Sequence, residues 1–199
     1  MKSVVKFLRR RQTAAENALS DLDLPPFEGP GGRDGNGRPD AVLVELALRR
    51  LGILQGREKK LRMMRSMARD GRSWVPLVFV ELLSDPSDEI RAAATRELTE
   101  REDYPLELLY ARLLRPPWYV RSAVLRVLES KRRPESIRPI REIVDDPNVD
   151  VKRSAARALG AIGGPEARRL LVRLTRDDNP YVRAAAVEAL EKIVELKFS

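Results

Sequence analysis

One short segment recurs four times in this chain at an almost constant spacing. In each copy a proline lies three to five residues before a basic residue, an apolar residue directly precedes that basic residue, and a run with the helical period follows. The basic residue falls at Arg91, Arg121, Lys152 and Arg183, so the steps are 30, 31 and 31 residues. A fixed period of about 20–50 residues is typical of stacked repeat arrays, in which each unit packs on its neighbours. The spacing therefore predicts an array with an extended surface.

Each copy has the hydrophobic period of an amphipathic helix. Counted from the basic residue, apolar residues fall at −1, +2 or +3, +6 and +7, which share one helical face. A second apolar-periodic stretch precedes each helix, and Pro139 lies inside one of these stretches, where it should bend the helix. The unit is thus helix, turn, helix, with helices expected near 75–84, 87–99, 105–115, 118–131, 135–145, 149–161, 166–176 and 180–196.

The pattern Asp-Pro-x-x-x-Val-Arg-x-x-Ala-x-x-Ala-Leu resembles a HEAT repeat, in the short form found in phycobilisome lyase-type HEAT proteins. The resemblance covers residues 73–199 and is best over 146–196, whereas the copy at 104–130 has Arg115 where the others have Asp. It implies an all-α fold, a right-handed α-solenoid of four HEAT-like helix pairs over 73–199. Such arrays serve many functions, so the fold alone does not identify one.

The HEAT resemblance also implies a structural role for most of the repeated basic residues. In that family an Asp six positions before the Arg joins neighbouring repeats in a hydrogen-bonded ladder. Arg121 lacks this Asp, so it is expected to be the one most available to a ligand. The matching pairs here are Asp85/Arg91, Asp146/Lys152 and Asp177/Arg183.

The first 72 residues are organised differently from the array. Residues 1–24 are predicted to hold a basic helix at 2–20, which is either a surface helix or an arm for an acidic partner, an anionic membrane or nucleic acid. Residues 25–39 are rich in Gly and Pro and predict a flexible linker. Residues 40–72 predict two helices, about 40–51 and 57–69, that cap the open end of the solenoid.

Composition excludes several classes of function. The chain has neither cysteine nor histidine, which rules out the usual zinc sites, thiol nucleophiles and histidine-based triads. We expect no cofactor, no metal and no catalytic residue, and the absence of a long apolar run near the start favours a cytoplasmic protein. Residues 1–72 hold 16 Lys/Arg against 9 Asp/Glu, and residues 73–199 hold 22 against 21. A duplex-DNA groove built from the array would need the opposite distribution.

The most informative binding candidates lie five positions after the repeated basic residue. Arg96, Arg126 and Arg157, here called the arginine column, should point away from the core, spaced about 8–10 Å apart as packed helices are. The HEAT resemblance places the second helices, and so the column, on the concave surface. Alternatively these arginines pair with nearby glutamates, as Arg126 could with Glu129. The +4 positions beside the column form a partly apolar strip: Thr95, Leu125, Ala156 and Val187.

Trp118 and Tyr119 are the only adjacent aromatic residues, and Trp118 either packs between repeats or anchors a partner. The leading hypothesis is a non-catalytic scaffold or adaptor whose concave surface binds an acidic or amphipathic segment of a protein. The alternatives are a nucleic-acid binder similar to the HEAT-like alkylpurine DNA glycosylases and, third, a chromophore lyase-type protein. The candidate partner-binding residues are Arg96, Arg126, Arg157, Arg153, Arg121, Trp118, Leu125 and Val187.

Overall fold

The computed structural model describes residues 41–69, 74–102, 104–115 and 117–195, and these ranges contain helices and turns without a strand. The predicted helix 2–20 and the linker 25–39 lie outside the described residues. Contacts divide the chain into a unit of residues 1–74 and a unit of residues 75–199. The first unit contains α1 (Ala41–Ile53) and α2 (Arg57–Ala68), joined by a turn in which Gly56 has φ 87°. Both helices lie close to their predicted positions.

The second unit consists of four helix pairs. The second helices of successive pairs pack side by side in one layer, and each first helix packs against the second helix of its own pair. This is the all-α repeat solenoid expected from the sequence. In chain order the helices are α3 (Val75–Leu82), α4 (Asp88–Glu100), α5 (Leu106–Leu113), α6 (Trp118–Lys131), α7 (Ile137–Arg141), α8 (Val149–Ile162), α9 (Gly164–Leu174) and α10 (Pro180–Glu195).

Helix α7 is much shorter than the helix predicted for 135–145. A 3₁₀ turn (Pro134–Ser136) precedes it, and turns occupy residues 142–145. Pro139 has no N–H to donate to the carbonyl four residues earlier. After it the chain uses the tighter three-residue bond, in which Ile143 N donates to Ile140 O at 3.1 Å. In place of the predicted single helix over 135–145, the chain therefore forms a 3₁₀ turn, a short α-helix that contains Pro139 in its first turn, and further turns.

Local sequence explains the ends of α8. Asn148 caps its N-terminus, because the Asn148 side-chain oxygen accepts from Asp150 N at 2.9 Å and Val151 N at 3.2 Å. Gly163 ends the helix with φ 75°, a conformation in which glycine has no Cβ to clash. Within the helix, a Cβ added at Gly160 would lie 2.7 Å from Ala189 Cβ. The absence of that side chain allows α8 and α10 to approach closely.

Candidate partner-binding surface

The second helices form the surface that carries the arginine column. Arg96 and Arg126 are exposed and Arg157 is half-buried. Two grooves cross this surface, a large groove of about 820 Å³ along α6, α8 and α10 and a small groove of about 430 Å³ along α4, α6 and α8. Arg126 and Arg157 line both grooves, whereas Arg96 lines neither. Two members of the predicted column thus lie where the grooves meet.

The large groove combines a lining of small residues with an excess of positive charge. Gly160, Ala161, Ala185 and Ala189 line it, so a bound chain could approach the helix backbones. Four basic and two acidic side chains surround these small residues, and the acidic ones are Glu129 and Glu188. The four basic residues are Arg126, Arg132, Arg157 and Lys192.

Both carboxylates of the large groove have a cation of their own. Glu188 Oε1 lies 2.7 Å from Lys192 Nζ, and this hydrogen bond lowers the pKa of Glu188 and raises the pKa of Lys192. Glu129 Oε2 lies 4.0 Å from Arg157 Nε in the next repeat. The alternative in which the column arginines pair with nearby glutamates is thus seen for Arg157 and not for Arg126, because the packing of α6 on α8 brings Arg157 to the Glu129 carboxylate. Within the described residues Arg126 makes no hydrogen bond or ion pair.

Arg121 and Lys152 form a ladder by pairing with the Asp of the following repeat, whereas the sequence had matched each basic residue with an Asp six positions before it. Lys152 Nζ lies 2.6 Å from Asp177 Oδ2, and Arg121 Nε lies 2.7 Å from Asp146 Oδ2. Each Asp also accepts a hydrogen bond from the backbone N–H two residues later. Asn179 N donates to Asp177 at 2.9 Å, and Asn148 N donates to Asp146 at 2.8 Å. The prediction that both carboxylates are bound within the ladder is confirmed.

The pKa of Asp177 reflects two opposing effects. Partial burial raises the pKa. The hydrogen bonds from Lys152 and from the Asn179 backbone lower it, as do the charges of Lys152 and Arg183, and together these outweigh the effect of burial. The net result is a pKa below the ordinary aspartate value, so this carboxylate is ionised at neutral pH.

The expectation that Arg121 is free for a ligand is wrong. Its side chain is 15% exposed and is held by Asp146 of the following repeat. The residue six positions earlier contributes a backbone carbonyl, to which Arg121 Nη1 donates at 3.4 Å. Any residue type supplies that carbonyl, so Arg115 in place of Asp does not release Arg121.

The effect of Arg115 falls one repeat earlier, on Arg91. An Asp at position 115 would correspond to Asp146 and Asp177, the carboxylates that receive the preceding ladder cations. Without it, Arg91 stacks its guanidinium 4.2 Å from the ring centre of Tyr119 and pairs with Asp88. Arg91 also donates to the Asp85 carbonyl at 2.6 Å. The first ladder connection of the array is thus aromatic instead of ionic.

The other predicted contacts have different surroundings. Trp118 is 44% exposed and meets Tyr119 edge-on, with 6.0 Å between ring centres, at the small groove. Arg153 lines the same groove, where its Nη1 lies 3.2 Å from Asp150 Oδ1 and its guanidinium lies 5.9 Å from the Tyr181 ring centre. Trp118 and Arg153 therefore lie within reach of a ligand in the small groove.

The predicted apolar strip at the +4 positions is largely internal. Leu125 is fully buried, as is Ala156, and Thr95 is buried with its hydroxyl donating to the Arg91 carbonyl at 2.8 Å. The neighbouring second helix covers these positions, so the expectation that Leu125 contacts a partner is corrected. Val187 is 46% exposed on α10 and is the member of the strip that remains accessible.

Sequence reasoning missed Arg132, which is exposed and lines the large groove beside Arg126. It lies outside the +5 register, immediately after α6, so the repeat pattern gave no reason to choose it. The described residues contain no cluster of three or more metal-ligating side chains. None of the helices in these ranges has the length and apolar character required for a membrane span.

Comparisons with known proteins agree with this architecture. The family model described as HEAT repeats matches residues 106–191. No curated protein matches the chain. Among solved structures, the chain is similar to the complex of CpcE and CpcF of phycocyanin lyase from Nostoc sp. PCC7120, with 22% identity, a TM-score of 0.52 and coverage of 88% of this chain and 70% of that one. It is also similar to a designed armadillo repeat protein in complex with the peptide (KR)4, with 18% identity, a TM-score of 0.47 and coverage of 77% and 83%.

At these identities the structural likeness concerns the fold and not the ligand. The matched residues 106–191 run from α5 into α10, which are the helices that build the large groove and the ionic part of the ladder. The family match identifies residues 106–191 as HEAT repeats, and the helix pairs of the whole second unit share the same arrangement.

Proposed function

We propose that this protein is a non-catalytic scaffold or adaptor whose second-helix surface binds an acidic or amphipathic segment of a partner protein. The observation that carries the proposal is Arg126, an exposed guanidinium without a partner in the described residues, where the two grooves meet. A HEAT-repeat array fits a protein-interaction role because it presents one long surface on rigid helices.

The charges of the large groove support a carboxylate-bearing partner. Glu129 and Glu188 are already matched by Arg157 and Lys192, so the positive excess resides on Arg126 and Arg132. Arginine binds carboxylates through two parallel hydrogen bonds, which adds geometric selectivity to the attraction. Next to these arginines the small residues that line the groove leave space for the partner's backbone.

The small groove supports the amphipathic part of the proposal. Trp118 offers an exposed indole face beside the arginines of the same groove. Exposed aromatic side chains next to arginine are typical of the residues that dominate binding energy at protein interfaces. An acidic segment with an apolar side chain would match both features.

The test reverses the arginine column, with Arg96, Arg126 and Arg157 all changed to Glu. The probe is a fluorescent peptide of alternating glutamate and leucine, and binding is measured by fluorescence anisotropy. We expect the wild-type protein to bind the peptide at one site and the variant to bind it at least tenfold more weakly, which corresponds to about 1.4 kcal/mol. Arg96→Glu and Arg126→Glu are exposed and should each alter stability by no more than about 0.5 kcal/mol, whereas Arg157→Glu also breaks the half-buried contact with Glu129. The Tm of the triple variant is therefore measured first, and binding is compared at a temperature at which the variant is folded.

The matched control reverses three other exposed arginines, one on α7, one on α9 and one just after α9: Arg138, Arg168 and Arg176. This control changes the net charge equally but leaves both grooves intact, so it should retain binding. An equal loss of affinity in both variants would show that binding depends only on the overall charge and would contradict the proposed site. Unchanged binding in the column variant would overturn the proposal.

Duplex DNA serves as the competing ligand. If the protein binds DNA more tightly than the peptide, and log affinity falls steeply with log salt concentration, the partner is a nucleic acid and not a protein. The near balance of 22 basic and 21 acidic residues over 73–199 favours the opposite result.

A further inference from the structure

The backbone at Arg132 adopts a conformation that favours glycine. Arg132 has φ 50° and ψ 34°, and it is the only residue other than glycine with positive φ in the described ranges. It follows α6 directly, and its N–H donates to the Leu128 carbonyl at 3.1 Å. A Cβ in this region crowds the following carbonyl, so glycine is the residue that usually ends a helix in this way.

The next repeat provides an internal comparison. The position 31 residues further on is Gly163, which follows α8 with φ 75° and ψ −165°, so it shares the positive φ of Arg132 but not its ψ. One repeat therefore uses glycine after its second helix and the preceding repeat uses arginine. Local backbone energetics favours glycine at both positions, so the backbone conformation does not explain an arginine at position 132.

The Arg132 side chain has no structural task among the described residues. It is exposed and makes no hydrogen bond or ion pair there, in contrast to Lys131, which donates to the Thr99 carbonyl at 3.0 Å. It does line the large groove, together with Arg126 of the helix that it follows. Both acidic side chains of that groove are matched by other cations. Arg126 and Arg132 thus remain available to an external anion.

We propose that Arg132 is a partner-binding residue retained at a backbone cost, and that Arg126 and Arg132 together bind two carboxylates of one extended partner segment. This inference rests on the proposed function. The Cα atoms of Arg126 and Arg132 are six positions apart, which corresponds to an offset of about 9 Å along the axis of α6, and both side chains line the same groove. In an extended polyproline-type segment, side chains three residues apart point the same way and are about 9 Å apart. We therefore expect the partner segment to carry two acidic residues three positions apart.

Two synthetic peptides of identical composition test the spacing. Both are proline-rich and fluorescently labelled; one carries glutamate at every third position and the other carries its glutamates in one contiguous run. We expect the evenly spaced peptide to bind the wild-type protein about threefold more tightly or better. Equal affinity for the two peptides would overturn the spacing.

Three variants separate the role of the side chain from that of the backbone. Arg132→Gly removes both the charge and the strained Cβ, so the Kd for the evenly spaced peptide should rise about fivefold while Tm rises by about 2–4 °C. Arg132→Ala removes the charge and keeps the strain, so it should weaken binding to the same extent without that gain in Tm. Arg133→Ala removes the adjacent exposed charge, which bonds Tyr104 Oη at 3.1 Å and lines neither groove, so binding should not change.

The outcomes distinguish this inference from the proposed function. If Arg126→Glu weakens peptide binding and Arg132→Gly does not, Arg132 is only a solvated helix end and the inference fails while the proposed function stands. If neither substitution weakens binding, both fail. A Tm that falls in Arg132→Gly would show that the arginine stabilises the fold, which also contradicts the inference.

Discussion

The ladder bond between Arg121 and Asp146 should be a main determinant of the stability of the array, and Asp146→Ala tests this. The Asp146 side chain is only 6% exposed. Its two oxygens lie 3.1 Å from Arg121 Nη2 and 2.7 Å from Arg121 Nε, and one of them also accepts from Asn148 N at 2.8 Å. The substitution therefore removes a two-point ion pair between repeats and a cap of the loop before α8.

The magnitude follows from what is left behind. Removing one partner of a buried ion pair costs about 3–5 kcal/mol, because the other charge stays buried without compensation. Arg121 keeps 15% of its side-chain exposure and can strengthen its bond to the Arg115 carbonyl, so the lower end of this range applies. We expect a loss of about 3 kcal/mol. For a chain of this size each kcal/mol shifts Tm by about 2–4 °C, which gives a decrease of about 6–12 °C.

The neighbouring residue supplies the matched control. Asp145 Oδ2 also forms an ion pair, 2.7 Å from Arg173 Nη2, but the Asp145 side chain is 78% exposed. Exposed pairs contribute about 0–1 kcal/mol, so Asp145→Ala should lower Tm by no more than about 4 °C. Both variants are compared by calorimetry and by urea unfolding. Replacing both partners of the buried pair, as Arg121→Met with Asp146→Leu, should recover most of the loss, because no buried charge remains. Equal Tm decreases for the two alanine variants would refute the reasoning.

Two further predictions concern the same array. The pKa of Asp177 is lower in the folded protein than in the unfolded chain. Its bond with Lys152 therefore stabilises the fold above about pH 4, and this stabilisation is lost as pH falls through the folded-state pKa. The Tm difference between the wild type and Asp177→Asn should shrink over the same pH range. Gly160→Ala places a Cβ 2.7 Å from Ala189 Cβ and should destabilise the protein by about 1–3 kcal/mol. Gly52→Ala has open space around the new methyl group, so it should be neutral or stabilise the protein by up to about 1 kcal/mol. Urea unfolding measures both changes. An equal effect at the two glycines would contradict the close approach of α8 and α10.

The fold could be predicted largely from sequence because each helix pair follows local rules repeated four times. Hydrophobic period, prolines at helix starts and glycine after α8 are properties of neighbouring residues, and seven of the eight array helices begin and end within about two residues of the predicted bounds. The exception is α7, which is much shorter than the predicted helix. Pro139 indicated that this helix is distorted, but whether the helix bends or ends there depends on the side chains that pack around it.

The binding surface could be predicted only in part. The +5 register correctly brings Arg126 to the surface, since outward positions follow from helical geometry alone. The burial of Leu125 did not follow, because whether a +4 side chain is covered depends on how closely the next second helix approaches. Arg132 could not be found from the repeat, since its interest arises from a backbone angle that the residue type does not favour.

Sequence by itself determined the period, the helix pairs and the residue types that recur at each position, because these depend on spacing along a single chain. The tertiary structure decided which residues meet. Arg121 binds an Asp 25 residues away in the next repeat, and Arg91 meets Tyr119 where that Asp is missing. Such pairings are set by the offset between stacked repeats, a distance across the fold that no interval along the chain specifies.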